Sequence, residues 1–363
     1  MQERRAIKIP YLDGWRGLAI IAVLVCHFGP RPAVGWIGDF GVQMFFALSG
    51  FLMGQLLFVK KVALPDFFFR RASRILPVFF MYVSCMYLYA QFFQARPYTV
   101  PLDELLSTVL FLRTYFPSEI SIWANDWPIG NVWSLNVEEH SYVFLAILAL
   151  IARKMESHRV ANILLIGAVL ACMGTYFYYL ATPPSGASKW ELRSECAAIG
   201  LLTSAALITL RHSYEPKVPT EAWSMLVILL VASSMFLMSA YRLKGGNVVF
   251  GPILLALAVN YLHTLPVIVK SALSNPALLW FGKCSFSLYL WQQPFYVAVQ
   301  KAGLPVYVGL TSALVVAAVS FYAIEDPLRI KLNRAWSRRH ASRVRAEFSP
   351  QFDDDISRPI QKT

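Results

Sequence analysis

Residues 15–30 read WRGLAIIAVLVCHFGP, and this stretch decides the fold. Between Arg16 and His27 every residue is apolar or small, which suits a helix surrounded by hydrocarbon rather than one half in water. No small-residue cleavage signal follows it, so it reads as a retained first membrane helix rather than a signal peptide. Similar apolar runs recur near 36–58, 74–94, 132–152, 160–181, 195–210, 222–240, 248–263, 280–301 and 304–324. Each is about twenty residues, the length that crosses a bilayer as a helix. The composition agrees with this reading. Residues of the set AVILMFWYC make up 57% of the 363 and charged residues only 15%, against about half and a quarter in soluble chains. The expected fold is all-α, a polytopic membrane protein of about ten transmembrane helices.

The net charge is +12. Neither a zinc knuckle nor an RNA-binding aromatic motif accompanies it, so the excess reads as membrane sidedness rather than nucleic-acid binding. The flanks on the side of the N-terminus gather Arg4, Arg5, Lys8, Lys60, Lys61, Arg70, Arg71, Arg74, Arg153, Lys154, Arg159, Arg211, Lys217, Lys270, Lys283 and the basic run after Arg329. The opposite loops hold Arg31, Arg96, Arg113, Lys189, Arg193, Arg242, Lys244 and Lys301. Basic residues favour the cytoplasmic side, so both termini are expected there. Residues 1–330 read as the membrane domain and 331–363 as a basic, then polar, cytoplasmic tail whose end, with Asp353, Asp354 and Asp355, should be disordered. In the long outer loop, PLDELLSTVLFLRTYF has the pattern of an amphipathic helix lying at the interface. The five cysteines lack CxxC spacing and fall in or beside apolar runs, which argues against a metal cluster or a disulfide framework.

Ionisable residues inside spans are costly and are candidates for function. Arg16 and His27 are eleven residues apart, close to three helical turns, so they share a face and stand roughly 16 Å apart along the axis. FFFRRASRILP places Arg70, Arg71 and Arg74 at the inner edge of the third span, where guanidinium groups suit phosphate. NVWSLNVEEHSYVF opens the fourth span at its outer end. There Asn136 and Glu139 fit a capping box, but Glu138 and His140 are left over, and two carboxylates with an imidazole suit proton transfer. FFALSGFLMG sets Ser49 and Gly50 at mid-membrane, where small residues permit close helix packing or the passage of a thin ligand chain. Arg193 and Glu195 stand at the outer face, where a salt bridge between them is the simple reading.

Together these stretches resemble the acyltransferase 3 family of integral membrane acyltransferases. YLDGWRGLAIIAVLVCHF is similar to that family's opening, with its paired arginine and histidine at Arg16 and His27. FFALSGFL, Arg71 and Arg74, WSLNVEEHSY, GKCSFSLYLW and the closing Glu325 to Pro327 follow in the family's order over residues 10–330. The resemblance implies a ten-helix domain that takes an acyl group, usually acetyl, from cytoplasmic acetyl-CoA without a metal. The acceptor is a carbohydrate or glycoconjugate hydroxyl, as on exopolysaccharide, O-antigen or a glycosylated small molecule. It implies Arg71 and Arg74, with Arg16, on the coenzyme A phosphates and Ser49 along the donor path. It implies His27 as the essential histidine, with Glu138 and Glu139 as its carboxylates, and His27 either deprotonates the acceptor or carries the acyl group itself. Trp133, Arg193 and Glu195, opposite the donor entrance, are the expected acceptor contacts. Membrane lipid and, where the transfer is shared, a separate extracytoplasmic transferase are the expected partners. The chain departs from the family pattern at Gln292, where a histidine is common, at Gln43, and at His140 and Ser141, which stand for Gln-Phe. A proton-coupled secondary transporter and a non-catalytic subunit of a polysaccharide export system are the rival readings.

Overall fold

The protein is described from a computed structural model over residues 9–30, 35–92, 99–118, 122–123, 127–184, 189–214, 220–239 and 246–348. Arg4, Arg5, Lys8, Arg31, Arg96, Lys217, Arg242, Lys244 and Asp353 to Asp355 lie outside the described residues. Fourteen helices are formed among the described residues: α1 Pro10–Phe28, α2 Gly35–Gly54, α3 Leu64–Phe92, α4 Leu102–Val109, α5 Val132–Lys154, α6 His158–Ala181, α7 Ser194–Ala197, α8 Ile199–Ser213, α9 Thr220–Ser239, α10 Gly251–Asn260, α11 Val267–Leu273, α12 Pro276–Ala302, α13 Val306–Ser320 and α14 Asp326–Phe348. Each of the expected spans coincides with a helix, and six of them are long and apolar enough to cross a membrane by themselves. The polypeptide is all-helical among the described residues, as a bilayer demands of a backbone that cannot hydrogen-bond to water.

The centre is built on α1, which packs between α2 and α12, while α2 backs onto α8. Glycines set these distances. A Cβ on Gly17 would stand 2.2 Å from the Leu278 carbonyl oxygen, and one on Gly50 would stand 1.9 Å from that of Leu201. Leu170, Leu229, Phe236 and Val315 face outward, as lipid-facing positions of a span should. In α4 the apolar side is outermost: Leu102, Leu106 and Leu110 are exposed while Glu104, Ser107 and Thr108 are buried. Glu104 pairs with Arg113 at 2.6 Å inside the protein. The exposed leucine stripe is the form an interfacial helix takes.

One sequence expectation changes. Asn136 does not cap a helix, because α5 already begins at Val132 with Asn131 at its N-cap. Asn136 is instead fully buried, with its amide placed to accept the backbone N–H groups of Arg113 and Thr114. The boundary expected at 330/331 falls within α14, a single helix through Phe348. It returns along α3, with Trp336 stacked on Phe69 at 4.1 Å and donating to Asp66 at 2.7 Å.

Candidate active site

Arg71 and Arg74 are one turn apart on α3 and so share a face, whereas Arg70 points outward and is exposed. With Arg16 of α1 they line an open-mouthed cavity whose other walls include Ser49 of α2, Ser134 and Glu138 of α5, and Ser285, Phe286 and Tyr289 of α12. Arg71 reaches Glu138 at 3.8 Å and lies 4.0 Å over the Tyr142 ring. Ser49 Oγ donates to the other Glu138 oxygen at 2.7 Å. Arg16 pairs with Asp13 one turn below it at 3.4 Å. Arg74 makes no ion pair or hydrogen bond among the described residues, and Arg16, Arg71 and Arg329 act on it as like charges, with Glu325 opposing. Among the charged side chains lining the cavity, three are cations and one is an anion. Mutually repelling guanidinium groups in a confined space favour a bound polyanion, and phosphate oxygens match their geometry.

Glu325, from the closing motif, is buried and accepts from Ser287 Oγ at 2.7 Å. Ser287 belongs to GKCSFSLYLW, so two stretches of the sequence pattern meet beneath Arg74.

His27 stands apart from this cavity, on the same helix as Arg16. Its Nδ1 lies 2.5 Å from Gln292 Oε1 of α12, and its ring stacks on Tyr296 at 4.3 Å. The Gln292 amide is oriented by its own nitrogen, which donates to the Tyr289 carbonyl at 3.3 Å. Its oxygen therefore faces the imidazole, so His27 Nδ1 is the donor to Gln292 Oε1. Gln292 stands where the family pattern has histidine, and nothing local marks it for a task. Pro294 was the available signal. Inside α12 it has no N–H for the Leu290 carbonyl, and Asn131 Nδ2 donates there at 3.2 Å and to the Tyr289 carbonyl at 2.7 Å. The helix is thus opened and braced beside the residue that holds His27.

Glu138 was expected at the outer mouth, near His27. The structure places it among the arginines, because residues 127–131 are folded inward and buried. Tyr82, eleven residues after Arg71 on α3, donates to the Pro128 carbonyl at 2.6 Å and ties the segment before α5 to α3. Glu139 has a buried Oε1 without a hydrogen bond and lies within the field of Arg71. Trp133 is buried edge-on against Phe46 at 6.0 Å, away from the other expected acceptor residues. Arg193 and Glu195 do not pair with each other but meet through Tyr115 of the loop after α4. The Arg193 guanidinium lies 5.4 Å from the ring centroid, and the Tyr115 hydroxyl donates to Glu195 Oε2. Burial and the neighbouring carboxylate push the Tyr115 phenol up, so it remains a donor at neutral pH.

A family profile described as an acyltransferase domain matches residues 9–324. The chain is 23% identical over 359 residues to YrhL of Bacillus subtilis (strain 168), covering 91% of this chain and 56% of that protein. It is 24% identical over 354 residues to the peptidoglycan O-acetyltransferase OatA of Listeria monocytogenes, with 88% and 56% covered. To the O-acetyltransferase OatA of Staphylococcus aureus it is 23% identical over 354 residues, with 91% and 58% covered. The chain spans a little over half the length of these curated relatives. No solved structure matches it.

Proposed function

The chain belongs to the acyltransferase domain family, and on that footing we propose that it moves an acyl group, by default acetyl, from cytoplasmic acyl-CoA to a carbohydrate hydroxyl. The observation that carries the donor assignment is the cavity with three guanidinium groups and one carboxylate. Coenzyme A carries a pyrophosphate and a further phosphate, and the excess positive charge suits them. In this reading Arg74 and Arg16 hold phosphate oxygens, while Glu138, tied to Arg71 and Ser49, keeps the third guanidinium oriented. Both termini are cytoplasmic and the membrane is the plasma membrane, in keeping with the basic flanks. The names of the relatives favour a cell-wall or exported glycan as acceptor. A separate extracytoplasmic transferase is the partner to test wherever this chain does not complete the transfer.

His27 is the proton acceptor of the proposed reaction. Held through Nδ1 on Gln292, the His27 ring takes the proton as the acceptor oxygen attacks the thioester carbon. The carbon–sulfur bond breaks and the proton passes to the departing thiolate. The test is acetyl transfer from labelled acetyl-CoA in membranes containing the protein, read together with mass spectrometry of surface glycans with and without it. His27→Gln should lose at least roughly a hundredfold in transfer, the lower end for a general base. Wild-type transfer by that variant, or glycans that do not change, would remove the assignment.

A further inference from the structure

A second cavity lies on the other side of α5 and is lined by Tyr115, His140, Phe144, Cys172, Ser194 and Glu195 among others. Its walls are largely apolar apart from one connected polar group. Ser194 Oγ lies 2.7 Å from His140 Nδ1. A serine hydroxyl within hydrogen-bond reach of an imidazole that can take its proton is the arrangement that activates a serine nucleophile. The neighbouring backbone is pinned as well, since Ser194 N donates to the Tyr115 hydroxyl at 3.0 Å.

We propose that Ser194, with His140 as its base, is a nucleophile that takes an acyl group onto its hydroxyl and passes it to an acceptor hydroxyl in this second cavity. The proposal rests on the acyl-transfer reading for the nature of the group, an acyl thioester being the donor class. In the first half, Ser194 Oγ bonds to the acyl carbon, the carbon–sulfur bond breaks, and the hydroxyl proton moves through His140 to the thiolate. In the second half, the acceptor hydroxyl gives its proton to His140 and bonds to the acyl carbon. The ester bond to Oγ breaks and Oγ takes that proton back. Nothing is oxidised or reduced. Glu138 and His140 are two residues apart on α5 and so point about 200° apart around it. The two cavities thus flank α5, and the thioester that Ser194 attacks is one that enters the serine cavity, not one held by the arginines.

The test uses the purified full chain in detergent and a fluorophosphonate probe, which labels activated serines without any acyl-CoA. Peptide mapping should find the probe on Ser194. Ser194→Ala should remove it, and His140→Gln should slow it by roughly a hundredfold or more, while His27→Gln and Arg74→Ala label as wild type. Glutamine is the family's residue at position 140, so His140→Gln tests the base without disturbing the helix. A folded wild-type protein with no label on Ser194, or an unchanged labelling rate in His140→Gln, would overturn the proposal and leave the pair as a tie between α5 and α7. Intact labelling beside absent acetyl-CoA transfer would instead count against the donor reading alone.

Discussion

Gln292→Leu removes the acceptor for His27 Nδ1–H while keeping most of the side-chain volume. The imidazole keeps its stacking on Tyr296, and the Tyr289 carbonyl keeps Asn131 as a donor at 2.7 Å. The expected loss is therefore one hydrogen bond within a partly buried site. A donor left without a partner there costs about 1–3 kcal/mol. If that energy holds the ring in its reactive tautomer and orientation, transfer should slow by roughly 5- to 150-fold. Thermal stability should fall by no more than the same amount, because leucine at this buried position adds apolar contact. The assay is acetyl transfer from labelled acetyl-CoA in membranes, measured in a cycle with His27→Ala. Acting only through His27, Gln292→Leu should slow the wild type and do nothing further in the His27→Ala background. Losses that add across the cycle, or a wild-type rate for Gln292→Leu alone, would refute the positioning role.

Arg74→Ala should weaken acyl-CoA binding by about 1.5–3 kcal/mol, the range for hydrogen bonds to charged groups, and Arg74→Lys should restore it only in part because the planar fork is lost; calorimetry at two salt concentrations checks both. Gly50→Ala should lower the melting temperature, since its Cβ would meet the Leu201 carbonyl at 1.9 Å and overpacking costs about 1–3 kcal/mol, more than the roughly 1 kcal/mol gained in helix propensity. Tyr115→Phe should raise the acceptor's KM while leaving donor binding unchanged, as the phenol ties Glu195 to the Ser194 backbone; equal loss of donor affinity would contradict the separation of the two cavities. The raised Tyr115 pKa also fixes a sign: its stabilising contribution is complete below the ordinary phenol value of 10.0 and declines as pH rises above it, which melting curves and phenolate absorbance together would follow.

Much of this was legible along the chain. The apolar runs located the helices, and helical spacing placed Arg71 with Arg74 and Arg16 below His27. Those features depend on residues within a few turns of each other. What stayed hidden depends on partners far away in sequence. Gln292 is 265 residues from the histidine it holds, and Ser194 is 54 from His140, so no periodicity joins them. The depth of Glu138 was misjudged for a related reason. Counting residues from the end of a loop gives depth only if the loop lies at the surface, and Trp127, Ile129 and Asn131 are buried. Tyr115 lay within a loop already suspected of meeting the acceptor, yet nothing local marked it as the link between Arg193 and Glu195.

The run Glu138-Glu139-His140 draws its meaning from helix geometry. Successive residues turn by about 100°, so three polar neighbours cannot serve one site. Glu138 faces the arginines and His140 the serine, with Glu139 between them and still under the influence of Arg71. A rotation of α5 by one residue would carry the carboxylate out of the arginine cavity and the imidazole away from Ser194 together. The rotation is held at both ends of the first turns: Ser134 donates to the Tyr289 hydroxyl at 2.7 Å, and the buried Asn136 amide grips the backbone at Arg113 and Thr114. Arg113 is itself anchored by the buried pair with Glu104. The register of α5 is therefore fixed from two sides, and with it the opposite orientations of Glu138 and His140.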